Sequence, residues 1–221
     1  MGIVQSKDRA YKQLELLIKR FKNDLQKGVI AGSHNLTKEI CKITEDGKRY
    51  SESQVRQGYI LPMFRDVLGW NIDDCVNEVV PELHNHEGFA DFTFVRNGKK
   101  KFLLETKKPF VNVDPNVQSG RDAQRQAIGY SRSIKDIHLT LVSNFEVLVF
   151  GHAFTMPKKG EEIKNSLKWY HFTDFLSDES FEILWEFRFE RAGDPSFGRE
   201  LLKGINQKLV SQYKPIDENL L

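Results

Sequence analysis

The sequence predicts an α/β fold in which helices flank a mixed central sheet. Short apolar and aromatic segments of strand length cluster between residues 76 and 150, and segments of helical periodicity precede, interrupt and follow them. Of the 221 residues, 11% are aromatic and 29% are charged, which is typical of a globular chain long enough to bury a core. We expect an N-terminal helical extension over 1–50, a core over 51–155 and a mainly helical C-terminal extension over 156–221, together forming one compact domain.

The first third of the chain is predicted to be helical. Helices are expected over 7–27, around 36–43 and over 52–68. Apolar residues recur at helical spacing from Leu14 to Leu25, which makes the first helix amphipathic. A capping box of Ser51 and Gln54 starts the third helix, and Pro62 should kink or interrupt it.

The middle of the chain alternates strands with one helix. Strands are expected over 76–81, 89–95, 101–107, 138–143 and 146–150, and a helix over 119–133. Three strands, a helix and a further strand in that order indicate a mixed sheet covered by helices. Residues 172–189 read as an apolar helix that carries five acidic residues, so we expect this segment on the side away from any anion-binding surface, or at a partner surface.

The second and third strands are predicted to form a hairpin around Asn97-Gly98, a strong short-range turn signal. A plain two-residue turn would place Asp91 opposite Leu104. One extra residue, in the loop or in a bulge near Gly98, would instead place Asp91 opposite Glu105 with the Cβ atoms about 5 Å apart. Only the second register lets both carboxylates share a metal ion, so we expect an odd-length loop or a bulge.

Asp91 and Glu105 are unusual because they interrupt runs of Phe, Val and Leu that should be buried. A carboxylate among buried residues needs a partner or a metal ion. Lys107 lies two residues beyond Glu105 and therefore faces the same side of the strand. The alternative is a hairpin with a solvated charged face, which suits the lysines at the turn better than it suits these two acids.

A second motif lies on the helix predicted over 119–133, with Ser119 as its N-cap and Asp122 in its first turn. Gln126 and Tyr130 are four residues apart and so project from one face. Arg125 and Arg132 lie on neighbouring faces, and Lys108 precedes the helix. From Arg96 to Lys135 there are ten basic and three acidic residues, although the whole chain carries only +2. This local excess is what binding to a nucleic-acid backbone requires.

Together, Asp91, the Glu105-Thr106-Lys107 triplet and the Gln126 and Tyr130 pair resemble the PD-(D/E)xK nuclease superfamily. The variant they resemble is carried by the restriction subunits of type I enzymes and by type IIG and ISP restriction-modification enzymes. Residues 57–70, which end in Leu-Gly-Trp, and residues 140–151 are similar to the helix and the later strands of those nucleases. Ala90 stands where the superfamily usually has proline, which is not a ligand. The implied fold is a restriction-endonuclease-like sheet.

The resemblance also implies roles for individual residues. Asp91, Glu105 and the carbonyl of Thr106 would bind Mg²⁺, for which Mn²⁺ is expected to substitute. Glu52 is the candidate for a further glutamate ligand, with Glu78 as its competitor. Lys107 would orient or activate the attacking water. Gln126 and Tyr130, together with Arg125, Arg132 and Lys108, would hold the lysine and double-stranded DNA.

The implied activity is metal-dependent DNA cleavage in a bacterial restriction system. Alternatives are a repair or junction-resolving nuclease, a nuclease-like module that binds DNA without cutting, and a basic docking surface for an acidic partner. The sequence has no Gly-rich phosphate loop and no methyltransferase signature. In the enzymes that it resembles, the nuclease is the N-terminal part of a much longer polypeptide, so the resemblance implies a piece of a longer protein or complex. Its partners would be a methyltransferase, a specificity module and an ATP-dependent translocase. Two isolated cysteines and no membrane-length apolar run favour the cytoplasm.

Overall fold

The computed structural model describes residues 2–26, 52–85, 88–109, 111–132, 134, 137–153, 167–199 and 201–203. The helices are α1 (Lys7–Gln26), α2 (a continuous helical segment over 52–67), α3 (Gln118–Arg132) and α4 (Asp178–Trp185). The strands are β1 (Val79–Asn85), β2 (Gly88–Arg96), β3 (Lys99–Thr106), β4 (Leu139–Ser143), β5 (Val147–His152) and β6 (Leu167–His171). Short 3-10 turns lie at Asp174–Leu176 and Arg191–Gly193.

The six strands form one sheet in the order β1-β2-β3-β4-β5-β6. Strands β3 and β4 run parallel, and every other neighbouring pair is antiparallel. The parallel pair is made possible by α3, which carries the chain back across the sheet between the two strands. The predicted α/β class with a mixed central sheet is therefore confirmed. The sheet has a sixth strand that was not expected. This strand, β6, lies after residue 155, where the core was expected to end.

Helices cover both faces of the sheet, since the buried apolar residues form two separate clusters. The larger cluster packs α1, α2 and α4 on one face of the sheet. Phe21 of α1, Phe64 of α2 and Phe102 of β3 are fully buried in it. The smaller cluster packs Ala123 and Ala127 of α3 against the other face. Small residues on α3 bring that helix close to β3 and β4. The catalytic candidates on β3 and α3 are thereby held on two rigid, adjoining elements.

The α2 segment remains helical through Pro62 but changes its winding. An α-helical turn, Glu52–Val55, continues into π-helical turns at Arg56–Ile60 and Met63–Val67. The expected interruption at Pro62 is therefore not observed, because a wider helical winding accommodates a proline that offers no N–H. The segment ends at Gly69, whose φ of +78° is a left-handed conformation suited to glycine. Trp70 then turns inward, and its Nε1 donates to the Phe187 carbonyl at 2.8 Å.

Several local expectations are corrected. Ser119 is not the N-cap of α3, because that helix begins at Gln118 and the Ser119 hydroxyl donates to the Asn112 carbonyl at 2.6 Å. The long helix expected over 172–189 is reduced to α4, because Ser177 caps it and a chain turn follows at 186. The expected helix around 36–43, Ser51 and Lys135 lie outside the described residues. Where the chain is described, no helix is long and apolar enough to cross a membrane.

Candidate active site

The hairpin of β2 and β3 adopts the register that brings the two acids together. Asn97 and Gly98 form a two-residue turn with φ values of 55° and 69°, and Arg96 pairs with Lys99. The ladder then shifts at Phe94 and Val95, because Val95 pairs with Lys100 whereas Phe94 pairs with Phe102. Lys101 is the extra residue, and the predicted bulge near Gly98 is confirmed. Phe92 pairs with Leu104, so Asp91, the residue before Phe92, lies level with Glu105.

Asp91 is held by donors on both of its carboxylate oxygens. Its Oδ2 accepts 2.7 Å hydrogen bonds from the backbone N–H and the hydroxyl of Thr106. Its Oδ1 accepts a 3.0 Å hydrogen bond from the Arg56 guanidinium. These bonds fix the orientation of the carboxylate at the open end of the hairpin.

Glu105 is nearly inaccessible, with 3% of its surface exposed. Its Oε1 accepts a 2.6 Å hydrogen bond from the Lys107 ammonium, while its buried Oε2 has no hydrogen-bond partner among the described residues. Burial is the main reason that the pKa of Glu105 rises to about 7, and the nearby charge of Asp91 adds to this effect. The Lys107 ammonium opposes the rise without cancelling it. An orphaned buried oxygen beside a second carboxylate is a ready ligand for a hard cation.

Lys107 connects the hairpin to α3. Besides Glu105, its ammonium donates to Oε1 of Gln126 at 2.8 Å, and Nε2 of Gln126 donates to the Tyr130 hydroxyl at 2.7 Å. The structure thus brings these four residues, which the sequence analysis had placed in one site, into one hydrogen-bonded chain. The chain Glu105, Lys107, Gln126 and Tyr130 holds the ammonium in one place. Within the described part of the chain, two of its three N–H donors are used.

Arg56 is the residue that sequence reasoning missed. It lies between the acids of α2 and β2, where it donates to Glu52 at 3.2 Å and to the Thr106 hydroxyl at 3.2 Å, in addition to Asp91. Its guanidinium also stacks 5.4 Å from the centre of the Phe92 ring. The spacing of Glu52 and Arg56, four residues apart at the start of a helix, was the available signal. That spacing is common on helix surfaces, so it did not stand out.

The two candidate glutamates have different surroundings. Glu52 reaches the site and binds Arg56 there, and its charge contributes to the raised pKa of Glu105. Glu78 instead accepts hydrogen bonds from the backbone N–H groups of Gly2 at 2.7 Å and Asn71 at 3.0 Å, which hold the N-terminal segment on the core. Glu78 therefore has a structural role.

The donor set fits a hard divalent cation with few protein ligands. Asp91 and Glu105 supply carboxylate oxygens from adjoining strands, and the buried Oε2 of Glu105 has no hydrogen-bond partner among the described residues, which suits it to bind a cation. Among the described residues, no three acidic, histidine or cysteine side chains form a ready metal cluster. A cation here would complete its coordination with waters, as Mg²⁺ commonly does.

The three additional basic candidates lie on exposed surface near this site. Arg125 and Arg132 are on α3, and Lys108 follows β3 by two residues. Arg125 pairs with Asp122 at 3.3 Å on the same helix, an exposed contact of small energetic value. Their exposure leaves the cations accessible to a solvent-borne polyanion.

Comparisons with known proteins relate the chain to restriction enzymes. No protein-family model matches it. Over 148 residues it is 29% identical to the type II restriction enzyme and methyltransferase RM.Eco57I of Escherichia coli, a match that covers 61% of this chain and 14% of that protein. A solved structure, that of the type IIG restriction endonuclease BpuSI, matches 75% of this chain and 18% of its own with 15% identity and a TM-score of 0.37. By sequence, this chain is thus similar to one segment of a much longer restriction and modification enzyme.

Proposed function

We propose that this chain is a Mg²⁺-dependent DNA endonuclease domain of the PD-(D/E)xK type, acting within a restriction or restriction-modification enzyme. The observation that carries the proposal is the buried Oε2 of Glu105, which has no hydrogen-bond partner among the described residues. The Glu105 carboxylate lies near Asp91, and Lys107 holds it through its other oxygen, Oε1. The similarity to a restriction and modification enzyme supports the same class. Mn²⁺ would substitute for Mg²⁺, because it accepts the same oxygen ligands.

In this proposal, Asp91, Glu105 and the carbonyl oxygen of Thr106 hold the cation. A bound Mg²⁺ would lower the pKa of a water molecule and offset the negative charge that develops on the phosphate. Lys107 donates its remaining N–H to the attacking water or to a phosphate oxygen, and so orients the two reactants. Hydrolysis forms one phosphorus–oxygen bond to water as the ester phosphorus–oxygen bond breaks.

Gln126 and Tyr130 position Lys107 and, with Arg125, Arg132 and Lys108, contact the DNA backbone. These contacts would be made to phosphates and carry no base specificity. Sequence recognition, methylation and any ATP-driven translocation would then belong to other modules of a longer bacterial, cytoplasmic protein or complex. The chain spans only 14% of the curated relative, which leaves room for such modules.

The test combines metal binding with DNA cleavage in one buffer. Titration calorimetry with Mg²⁺ and Mn²⁺ is followed by nicking of supercoiled plasmid, for the wild type and for Asp91→Asn. The variant keeps the shape of the side chain but loses its charge, so metal binding and nicking should both be lost. Asp66→Asn is the matched control, since Asp66 pairs with Arg65 on the exposed surface of α2.

Three outcomes distinguish the candidate functions. Loss of binding and nicking in Asp91→Asn alone supports the endonuclease. Metal binding without nicking by the wild type indicates a site that needs a second copy or a missing module. DNA binding without metal binding would contradict the proposal and favour a nuclease-like module that grips DNA without cutting.

A further inference from the structure

Arg56 is a cation already present at the predicted metal site. Its side chain is only 18% exposed, and it contacts Glu52, Asp91 and the Thr106 hydroxyl. An arginine in this setting stays charged, because its guanidinium does not lose a proton in proteins. A second cation entering the site must therefore meet a fixed positive charge.

The hydrogen bonds on Asp91 show where the two cations would meet. Oδ2 already accepts two donors from Thr106, which satisfies both of its lone pairs. Oδ1 accepts one donor, from Arg56, and has one lone pair left. A metal ion bound to Asp91 would therefore share Oδ1 with the guanidinium, or displace it.

We propose that Arg56 is a resident counter-cation that stabilises Asp91 in the metal-free protein and transfers to Glu52 when a divalent cation binds. In this role it is a positioning residue that lowers the metal affinity of the site. The inference rests on the proposed metal site, and it gives Glu52 a function other than that of a ligand. Glu52 accepts the guanidinium that the cation releases from Asp91.

The surroundings of Arg56 allow a small movement without loss of the fold. Glu52 and Arg56 are four residues apart on α2 and are already paired at 3.2 Å, so the guanidinium shifts between neighbours that it contacts now. The face of the Phe92 ring lies beneath the guanidinium, with the ring centre 5.4 Å from Cζ, and so supports it. Arg56 begins the first π-helical turn of α2, a winding that is frequent at functional sites.

The first experiment measures Mn²⁺ affinity by calorimetry without DNA, for the wild type and for Arg56→Gln. Removing a unit charge from the edge of a partly buried cation site should tighten Mn²⁺ binding about tenfold. Arg65→Gln is the matched control, because Arg65 lies on the same segment and pairs with Asp66 on exposed surface. The control should bind Mn²⁺ like the wild type. An arginine that serves only to pack α2 on the sheet would give unchanged or weaker binding when removed.

Thermal unfolding gives an independent measurement. Without metal, Arg56→Gln should melt below the wild type, since Asp91 loses its counter-charge. With saturating Mn²⁺ the difference should narrow, because the bound cation replaces the lost charge. If the glutamine variant does not fold, Arg56→Met keeps the stem packed on Phe92 while removing the charge, and the same two measurements apply.

A double-mutant cycle tests the part assigned to Glu52. Glu52→Gln alone should weaken Mn²⁺ binding several-fold, because Arg56 then has no second carboxylate to move to. In the Arg56→Gln background the same substitution should have a clearly smaller effect, because only the direct attraction between the Glu52 charge and the cation is then lost. An equal loss of affinity in both backgrounds would show that Glu52 acts on the cation independently of Arg56 and would overturn its assigned role.

The results separate this inference from the proposed function. If the wild type binds no divalent cation, both are wrong. If the wild type binds Mn²⁺ and Asp91→Asn does not, the metal site stands. Unchanged or weakened Mn²⁺ binding in a folded Arg56→Gln or Arg56→Met variant then overturns the inference about Arg56 alone.

Discussion

The two ends of the β2–β3 hairpin differ in how their charged residues are arranged. At the turn end, Arg96, Lys99, Lys100 and Lys101 are all basic, and the pKa of Lys101 is lowered by burial and by the charges of Lys99 and Arg96. At the open end, each base is paired with acids: Arg56 with Glu52 and Asp91, and Lys107 with Glu105. One hairpin thus clusters like charges at one end and pairs opposite charges at the other.

The difference shows that burial and partnership, not the number of charges, distinguish a candidate reaction centre from a charged surface. Lys99 is exposed, whereas Glu105 is 3% exposed and keeps one oxygen without a partner among the described residues. Solvated cations stabilise little and can be replaced freely. Burying charged groups costs free energy even when they are paired, because each group loses its hydration. The open end is therefore where substitutions should have large effects.

The largest contrast is expected between the lysines of the two ends. Lys107→Met should reduce metal-dependent plasmid nicking by roughly 10²- to 10⁴-fold, because the ammonium that we propose orients water or phosphate is lost. Mn²⁺ binding should persist, since Lys107 is not a ligand. Nicking rates at saturating Mn²⁺, with affinity measured separately by calorimetry, give both quantities.

Lys100→Met is the control at the turn end and should leave Mn²⁺ affinity and fold unchanged. A loss of Mn²⁺ binding in Lys107→Met would contradict the separation of roles. Equal losses of nicking in the two variants would mean that the two lysines act on DNA as one surface, and the contrast between the ends would then fail.

A smaller effect is expected on α3. Gln126→Ala should lower nicking by about 10- to 100-fold at saturating metal, because Lys107 keeps its bond to Glu105 but loses the acceptor that sets its direction. Mn²⁺ affinity should not change. Gln118→Ala is the matched control, since Gln118 bonds Asp122 on the exposed start of the same helix. A fall in Mn²⁺ affinity in Gln126→Ala would contradict a role for Gln126 that is limited to positioning Lys107.

The raised pKa of Glu105 predicts a stability effect of opposite sign to that of most paired acids. The folded protein binds this proton more tightly than the unfolded chain, since the pKa is about 7 rather than 4.5. The stability it contributes is therefore complete below pH 4.5 and is lost as the pH rises through 7, by an amount on the order of 1–3 kcal/mol. Glu105→Gln should lack this loss. Urea unfolding of both proteins at pH 5 and pH 8, in the presence of a chelator, measures this loss of stability. An equal change in the free energy of unfolding between the two pH values in both proteins would contradict the assignment.

The sequence predicted the parts of the molecule that depend on local pattern. Most strand and helix positions agree within a few residues, since alternation and helical periodicity are local properties. The hairpin bulge was predictable because only one register places the two carboxylates opposite each other on the same face of the strands. Gln126 and Tyr130 were predictable because residues four apart share a helix face.

What escaped prediction depends on contacts between distant segments. Arg56 is 35 residues from Asp91, and no local pattern marks an arginine that inserts between a helix and a strand. The same holds for β6, whose Leu167 to His171 stretch pairs with β5 across a long connection. Glu78 could not be separated from Glu52 by sequence, because its partners are two backbone N–H groups, that of Gly2 in the N-terminal segment and that of Asn71 after α2.

The smallest effect is expected from deleting Lys101. This residue is the unpaired extra position of the bulge, so its removal leaves the turn, the Phe94–Phe102 pair and the level placement of Asp91 and Glu105 intact. Stability should change by about 1 kcal/mol or less, and Mn²⁺ affinity should be retained. Deleting Thr93 from the opposite strand is the counterpart, because it moves Asp91 level with Leu104 and should abolish Mn²⁺ binding. If both deletions retained Mn²⁺ binding, the register of the hairpin would not be what joins the two carboxylates, and the open end would be no more specific than the turn.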